Sequence, residues 1–326
     1  MRIARPFSRE RELLVQASRY RIALRRYRIS STPGDVKPSM VIFTANMSAR
    51  DSTSNYALGS TDAEHDRLIW QAERFGPFTE RLFREAGIGP GQRVLDIGSG
   101  VGDVALLAAK LVGTSGEVVG IERDLSSITR AQARVSEAGL RNVSFMQCDV
   151  AQIPDGKLFD AAVGRFILMW LPDPVAALRT ISGFVCPGGA IAFQEPYWAP
   201  LLALLAPLPL WFSTASVIHE TFRRSGAMPD LGPALYQTFR DAGLPGPSMR
   251  LEMSLGKGPD FAQWFFDILC TLRPQILQLN VPMGLLGNID TLVERLQDES
   301  KFSNTVVSFP PPVGAWVRKP IDTRCP

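Results

Sequence analysis

Cysteine and histidine are scarce in this chain of 326 residues, which has four of the first and two of the second. The cysteines show neither C-x-x-C spacing nor a regular framework. Their pattern argues against disulfides and a structural zinc site, and it predicts that the protein works in a reducing compartment. Two histidines, His65 and His219, are too few for a histidine-built metal centre. We therefore expect a cytoplasmic protein without a bound metal.

Long apolar runs are also missing. Residues 199–212 are almost wholly apolar, but they are too few to span a bilayer and include three prolines. We expect no transmembrane segment there and interpret the stretch as part of a lid. With 45% hydrophobic residues the chain can bury a sizeable core. Both one elaborated α/β domain and two domains fit this length, and the alternation of strands with helices favours one.

The net charge of +3 conceals an uneven distribution. Residues 1–30 contain nine arginines against two glutamates, and the remainder is mildly acidic. The globular part therefore lacks the charge signature of a nucleic-acid partner. Apolar residues recur at helical spacing within this basic end. A role as a membrane-surface, organelle-targeting or RNA-binding segment therefore stays open. The alternative is that residues 1–50 form a flexible extension, which the linker-like residues 30–34 favour. The globular domain would then comprise residues 51–326.

A strand, a glycine turn and a helix follow one another at residues 94–112. The strand contains Val94, Leu95 and Ile97, and the helix after the turn is rich in alanine and leucine. The turn contains Gly98, Gly100 and Gly102, which permit left-handed backbone and the close approach of a ligand. This order of elements predicts a nucleoside-cofactor site.

Spacing separates two interpretations of that turn. A dinucleotide site needs G-x-G-x-x-G, whereas the third glycine here comes one residue early, at Gly102, and Asp103 stands in its place. Asp96 also precedes the turn, where a carboxylate would repel a pyrophosphate but accept hydrogen bonds from an ammonium group. Residues 96–102 resemble the first motif of class I S-adenosylmethionine-dependent methyltransferases.

The resemblance continues to residue 195 in five ordered matches. The strand 117–122 ends in Glu122, the helix 125–138 is closed by Gly139, and the strand 143–148 leads to Asp149. Two further strands follow at 158–164 and 190–195, separated by a helix that Asp173 and a proline begin. The resemblance implies that Glu122 binds both ribose hydroxyls and that Asp149 receives the adenine amino group.

The family's fold is expected here: a Rossmann-like, doubly wound α/β sheet of seven strands with an antiparallel last strand and helical lid insertions. We predict the remaining strands at 248–255 and within 305–318, and the insertions at about 197–228 and 259–300. The cofactor is then S-adenosyl-L-methionine, bound by Asp96, Gly98, Ser99, Gly100, Gly102, Glu122, Arg123, Asp149, Val150, Arg165, Tyr56 and Gln71.

Tyr56 and Gln71 belong to the N-terminal part of this resemblance. Thr61 begins a capping box, and the apolar spacing after it predicts an amphipathic helix that Gly76 and Pro77 break. A second helix is predicted at 78–86. In many small-molecule methyltransferases a helix placed like the first one covers the cofactor, although Gln71 fits an ordinary solvent-facing position equally well.

Methyl transfer from a sulfonium needs chiefly alignment and the exclusion of water, and a general base only when the acceptor must lose a proton. Glu195 and His219 are the candidate bases, and a structural hydrogen bond is the commoner role for such a histidine. The aromatic residues of the first insertion favour an apolar acceptor, or a plain hydrophobic core beneath the lid: Trp198, Trp211, Phe212 and Phe222.

The predicted activity is methyl transfer to a small, hydrophobic or aromatic molecule. The Asn/Asp-Pro-Pro-Tyr/Phe signature of amino methylation is replaced by Gly164, Arg165, Phe166 and Ile167, which argues against methylation of nucleic-acid amino groups. A non-catalytic protein that binds adenosyl ligands remains an alternative, followed by a nicotinamide-dependent reductase and an RNA methyltransferase. The acceptor atom and the oligomeric state stay open.

Overall fold

The computed structural model of the protein describes residues 58–59, 61–154 and 156–321. The interpretation of residues 1–50 and the cofactor role predicted for Tyr56 lie outside these described residues. All described residues belong to one compact unit. Among them, no helix combines the length and the apolar character that a membrane span requires.

Helix α1 extends over 24 residues, Asp62–Glu85, and its N-cap Thr61 accepts a backbone N–H as the capping box predicts. The predicted break before residue 78 is wrong, because the helix continues through Pro77. A proline inside a helix costs about 3 kcal/mol through its missing N–H and its ring. Tertiary packing offsets that cost, since Phe75 and Phe83 are both buried on the two sides of the proline.

Strands and helices alternate after α1, as the sequence predicts. The elements are β1 (Arg93–Ile97), α2 (Asp103–Val112), β2 (Glu117–Glu122), α3 (Leu125–Glu137), β3 (Val143–Gln147), β4 (Phe159–Arg165), α4 (Pro174–Gly183) and β5 (Val185–Pro196). Short 3₁₀ helices lie at Val150–Gln152 and Leu168–Trp170. The side chains of Asp124 and Asp173 cap α3 and α4 by accepting backbone N–H groups.

Seven strands form the main sheet, in the order β3-β2-β1-β4-β5-β9-β6, with β6 at Ser248–Leu251 and β9 at Pro312–Arg318. Strand β9 is antiparallel to both of its neighbours, and the pairs on the other side of β5 are parallel. This arrangement confirms the predicted seven-stranded sheet with an antiparallel last strand. Because β1 lies beside β4, the carboxyl ends of these two strands border the crevice where open α/β sheets bind ligands.

Two predicted strands are divided in the structure. The stretch predicted at 248–255 contributes β6 to the main sheet and β7 (Leu255–Gly256) to a separate pair with β8 (Val307–Ser308). Prolines at 310–312 separate β8 from most of β9. A proline cannot donate a ladder hydrogen bond, so one strand does not continue through them.

The two insertions fold into one helical layer. It comprises α5 (Trp198–Leu205), α6 (Pro209–Arg224), α8 (Pro259–Gln278) and α9 (Leu292–Phe302), whereas α7 (Leu231–Asp241) packs on the sheet. The indole N–H of Trp211 donates to the Leu296 carbonyl at 2.7 Å, and the Glu299 carboxylate accepts the N–H groups of Leu210 and Trp211 at 3.0 Å. The first insertion is thereby fixed to the second.

Candidate functional site

The turn between β1 and α2 has left-handed backbone at all three of its glycines. Their φ angles are +64° at Gly98, +50° at Gly100 and +86° at Gly102, values that strain any residue with a Cβ. A Cβ on Gly98 would also lie 2.4 Å from a side-chain carbon of Ile167. A Cβ on Gly100 would meet no described atom within 4 Å, so the backbone there is open to a ligand.

Asp96 lies beneath this turn with only 1% of its surface exposed. Neither of its carboxylate oxygens, nor the hydroxyl of Ser99, has a hydrogen-bond partner within the described part of the chain. Burial raises the pKa of Asp96 well above its ordinary value; Arg165 and the nearby backbone N–H of Ala105 oppose that rise, and Asp103 and Glu122 add to it. A buried acid without a partner is costly. The α-ammonium of S-adenosylmethionine is a group that would satisfy it, so the residues present fit this cofactor.

Glu122 connects the end of β2 to the glycine turn. One carboxylate oxygen accepts the Gly100 N–H at 3.0 Å, and the other accepts the N–H groups of Arg123 and Asp124 at 2.7 and 3.0 Å. A carboxylate offers about four lone-pair sites, so this one can still accept a hydroxyl. The geometry therefore leaves Glu122 able to accept a ribose hydroxyl beside the turn.

Asp149 lies at the end of the neighbouring strand β3. Its side chain caps the following 3₁₀ helix by accepting the Ala151 N–H at 3.0 Å, and it lies 3.6 Å from the guanidinium of Arg123. Val150 packs, half-buried, against the hydrophobic core. The structure thus brings Arg123, Asp149 and Val150, three of the predicted cofactor-binding residues, together at the carboxyl edge of the sheet.

Arg165 ends β4 and has a buried side chain. Its guanidinium donates to the Thr79 hydroxyl at 3.2 Å and lies 4.0 Å from the carboxylate of Asp103, which Arg134 also pairs at 2.7 Å. Burial lowers the pKa of Arg165, and the charges of Asp103 and Asp96 oppose that change. Arg165 therefore places a positive charge among the acids of the site.

Gln71 is buried rather than solvent-facing. Its side-chain oxygen accepts hydrogen bonds from Arg67 at 2.8 Å and from the indole of Trp264 at 3.1 Å. Because Trp264 belongs to α8, this contact joins α1 to the second insertion. The cofactor contact predicted for Gln71 stays a prediction.

Glu195 is fully buried near the end of β5. Its carboxylate accepts three backbone N–H groups of the segment after β4, from Ile167 at 3.1 Å, Leu168 at 2.8 Å and Met169 at 3.2 Å. Burial raises the pKa of Glu195 to about 8 against the opposing effect of these three bonds. The contacts are those of a group that holds a loop in place. The role of general base stays a prediction.

His219 lies in α6, and its Nε2 is 2.7 Å from the carboxylate of Asp230. The same carboxylate accepts the Ala199 N–H at 2.9 Å. Burial favours a higher pKa for Asp230, but its hydrogen bonds and the charge of His219 together lower the pKa below its ordinary value. The histidine therefore pairs with an acid just after the first insertion, which also accepts an N–H from the start of that insertion. The catalytic role of His219 stays a prediction.

The aromatic residues proposed for the acceptor pocket pack inside the helical layer. Trp211 is 1% exposed and contacts Phe265 edge to face at 5.4 Å. Phe222 is buried between Trp170 at 5.4 Å and Trp198 at 6.0 Å. Of the two interpretations that the sequence left open, these contacts favour the hydrophobic core for both residues.

A different aromatic cluster lies between α1, the segment after β4 and the second insertion. Phe309 is its centre, with ring centroids 4.4 Å from Phe261, 5.5 Å from Trp264 and 6.0 Å from Phe75. Phe166 joins the cluster through Phe75 at 5.3 Å. Sequence reasoning missed this cluster because its members come from segments far apart in the chain, and no local spacing connects them.

Comparison with known proteins agrees with this geometry. Residues 88–239 match the family described as a methyltransferase domain. The aklanonic acid methyltransferase of Streptomyces sp. (strain C5) is 37% identical over 43% of this chain and 63% of its own length. The ubiquinone/menaquinone biosynthesis C-methyltransferase of Coxiella burnetii (strain Dugway 5J108-111) is 34% identical over 35% of this chain and 48% of its own length.

A solved structure shows the same fold. A putative methyltransferase from Bacillus halodurans C-125 superposes with a TM-score of 0.51 at 17% identity, over 74% of this chain and 98% of that one. The present chain matches less than two thirds of the length of the two curated relatives named above. Residues 88–239, which match the methyltransferase-domain family, contain the glycine turn, Glu122, Asp149 and Glu195. Over residues 88–239 this chain therefore resembles a methyltransferase domain, and the solved structure shares its fold.

Proposed function

We propose that this protein transfers the methyl group of S-adenosylmethionine to a small, hydrophobic, aromatic acceptor. The observation that carries the proposal is the buried carboxylate of Asp96, which has no hydrogen-bond partner among the described residues and lies under a turn open at Gly100. An ammonium group of the donor would pair with it. Glu122 would accept a hydrogen bond from a ribose hydroxyl, and Asp149 would accept one from the adenine amino group.

Asp96 also argues against a nicotinamide dinucleotide. It lies beneath the turn on which a pyrophosphate would have to lie, and an ionised carboxylate there repels a doubly charged group. Strand β9 also lies between β5 and β6, whereas the dinucleotide-binding sheet has the order 3-2-1-4-5-6. Both observations favour the adenosyl donor over the reductase alternative.

The aromatic cluster around Phe309 supports the acceptor class. It lies beside the segment that follows β4, and half-buried rings such as Phe261 and Phe166 border it. Flat apolar rings recognise an aromatic molecule through stacking and edge contacts. The two curated relatives, named for aklanonic acid and for ubiquinone and menaquinone biosynthesis, are consistent with such an acceptor.

The donor supplies a methyl group that is already activated by a positively charged sulfur. An acceptor atom would attack the methyl carbon in line while the carbon–sulfur bond breaks, and its electron pair would stay on sulfur, which becomes a neutral thioether. The positive charge would pass to the acceptor, which is neutral afterwards if it enters as an anion or releases a proton to solvent. The protein then has to align the two molecules and exclude water. Arg165, Asp96 and Glu122 would orient the donor, and the helical layer would shield the acceptor. Glu195 has no exposed surface and is enclosed by backbone N–H groups, so its place in this scheme is to hold the loop.

Calorimetry with four ligands tests the donor. We expect S-adenosylmethionine and S-adenosylhomocysteine to bind, and NADH and NADPH not to bind. The opposite pattern would reject the proposal. Transfer of a radiolabelled methyl group to a panel of phenols, hydroquinones and aromatic polyketides then tests the acceptor. Donor binding without transfer to any extractable metabolite would favour the non-catalytic alternative.

A further inference from the structure

Phe166 has an unusual backbone conformation. Its φ is +55°, and the other residues besides glycine with a positive φ among those described are Asn280 and Asn304. Asparagine adopts this left-handed region with little strain, whereas a bulky aromatic residue there is an outlier. Such strain persists only where the surrounding structure imposes it, and it is concentrated at functional sites.

The end of β5 imposes this conformation. The Phe166 N–H donates to the Gln194 carbonyl at 2.8 Å, and the next three N–H groups donate to Glu195. Hydrogen bonds on four successive residues fix the path of the chain after β4. The strain at Phe166 is therefore the consequence of a loop held in one position.

The residues on either side of Phe166 contact the proposed donor site, and Phe166 itself belongs to the aromatic cluster. Arg165, the preceding residue, lies among the acids of the site. Ile167, the following residue, packs against Gly98 so closely that a Cβ there would lie 2.4 Å from it. The Phe166 ring is half-buried and meets Phe75 edge to face, at 5.3 Å and 88°. Because the two rings are perpendicular, Phe75 covers at most one face of the Phe166 ring and leaves a face for another partner.

We propose that the face of the Phe166 ring contacts the positively charged sulfonium of the donor and its methyl group. This inference rests on the proposed function and adds to it a residue that distinguishes the charged donor from its neutral product. A cation is attracted to the face of an aromatic ring, and the attraction grows where water is excluded. When the methyl group leaves, sulfur loses its charge and this attraction disappears, which favours release of the product.

The experiment compares two ligands that differ only at sulfur. S-adenosylmethionine carries the charge and the methyl group, and S-adenosylhomocysteine carries neither. Calorimetry measures the Kd of both for wild type and for Phe166→Leu, a change that keeps an apolar, unbranched Cβ and thus the same backbone strain but removes the ring. We expect the Kd of S-adenosylmethionine to rise about three- to tenfold, and that of S-adenosylhomocysteine to change by less than about twofold.

Three further variants sharpen the comparison. Phe166→Tyr keeps the ring and should keep the wild-type ratio of the two Kd values. Phe166→Met gives the same test as leucine if the leucine variant does not fold. Phe222→Leu is the matched control, because it removes a ring that is buried in the helical layer and should leave the ratio unchanged.

Equal effects of Phe166→Leu on both ligands, or no effect on either, would overturn the inference and leave the proposed function standing. In that case Phe166 only packs against Phe75. If neither ligand binds the wild-type protein, the proposed function fails, and the inference fails with it. Selective loss of S-adenosylmethionine affinity, restored by tyrosine, is the result that supports Phe166 as a donor-contacting residue.

Discussion

The Glu122 carboxylate accepts the N–H of Gly100 at 3.0 Å, which ties the end of β2 to the turn after β1. One side chain thereby fixes the turn and faces the same crevice as the turn does. Removing it should damage both the shape of the site and the contact that it makes with a ligand.

We expect Glu122→Ala to weaken donor affinity by about 1.5 to 3 kcal/mol, the usual worth of hydrogen bonds to a charged group. Calorimetry with S-adenosylhomocysteine measures this effect. Glu117→Ala is the control, because Glu117 begins the same strand and pairs with Arg93. An unchanged affinity in Glu122→Ala would remove Glu122 from the site.

Asp96→Asn should stabilise the protein without ligand and weaken donor binding. The folded-state pKa of this acid lies above its ordinary value, so wild type loses stability as pH rises from the unfolded pKa towards the folded one. Asparagine does not ionise, and the stability gained should therefore be larger at pH 7 than at pH 4. Melting temperatures at the two pH values measure it, with the exposed Asp66→Asn as control. A variant that melts lower than wild type at pH 7 would contradict this account of Asp96.

Glu195→Gln should change how stability depends on pH. In wild type the pKa rises on folding from 4.5 to about 8, so this group costs stability progressively as pH rises between these values. Relative to wild type, the variant's free energy of unfolding should therefore increase between pH 5 and pH 8.5. Urea unfolding at both pH values tests this, with the exposed Glu294→Gln as control. A difference that is constant with pH would show that Glu195 has an ordinary pKa in the folded protein.

Trp211→Ala and Phe261→Ala should affect different properties. The first removes a fully buried indole and its 2.7 Å hydrogen bond, and should lower the free energy of unfolding by about 3 to 5 kcal/mol. The second removes a half-buried ring of the Phe309 cluster, and should lower acceptor turnover roughly tenfold while stability changes less. Urea unfolding and methyl-transfer assays separate the two. If Phe261→Ala leaves turnover unchanged, the cluster does not line the acceptor site.

Local signals in the sequence were sufficient to predict the glycine turn, the end of β2 and two helix caps. Gly98, Gly100 and Gly102 all adopt the left-handed backbone that their spacing predicts, and Glu122 lies where an acid at the end of the second strand should. Thr61 and Asp173 cap helices as predicted. These features depend on a few consecutive residues, and their physical causes are contained in those residues.

Features that depend on tertiary contact were not predictable in the same way. Pro77 stays helical because of packing around Phe75 and Phe83, which the local sequence does not reveal. Trp211 and Phe309 are both aromatic residues of the later part of the chain, and only their neighbours decide that the first is core and the second lies in the cluster. Apolar character alone does not distinguish a core position from a pocket wall.

The position of β9 determines when the sheet can be completed during synthesis. Its residues are the furthest along the chain of any described strand, yet β9 lies between β5 and β6 and pairs with both. A nascent chain can assemble β1 to β5 early, but β5 keeps an open edge and β6 has no partner until Pro312–Arg318 leaves the ribosome. An open, apolar strand edge invites pairing with other chains. Chains that stop before this segment should therefore aggregate even though they contain every residue proposed to bind the donor.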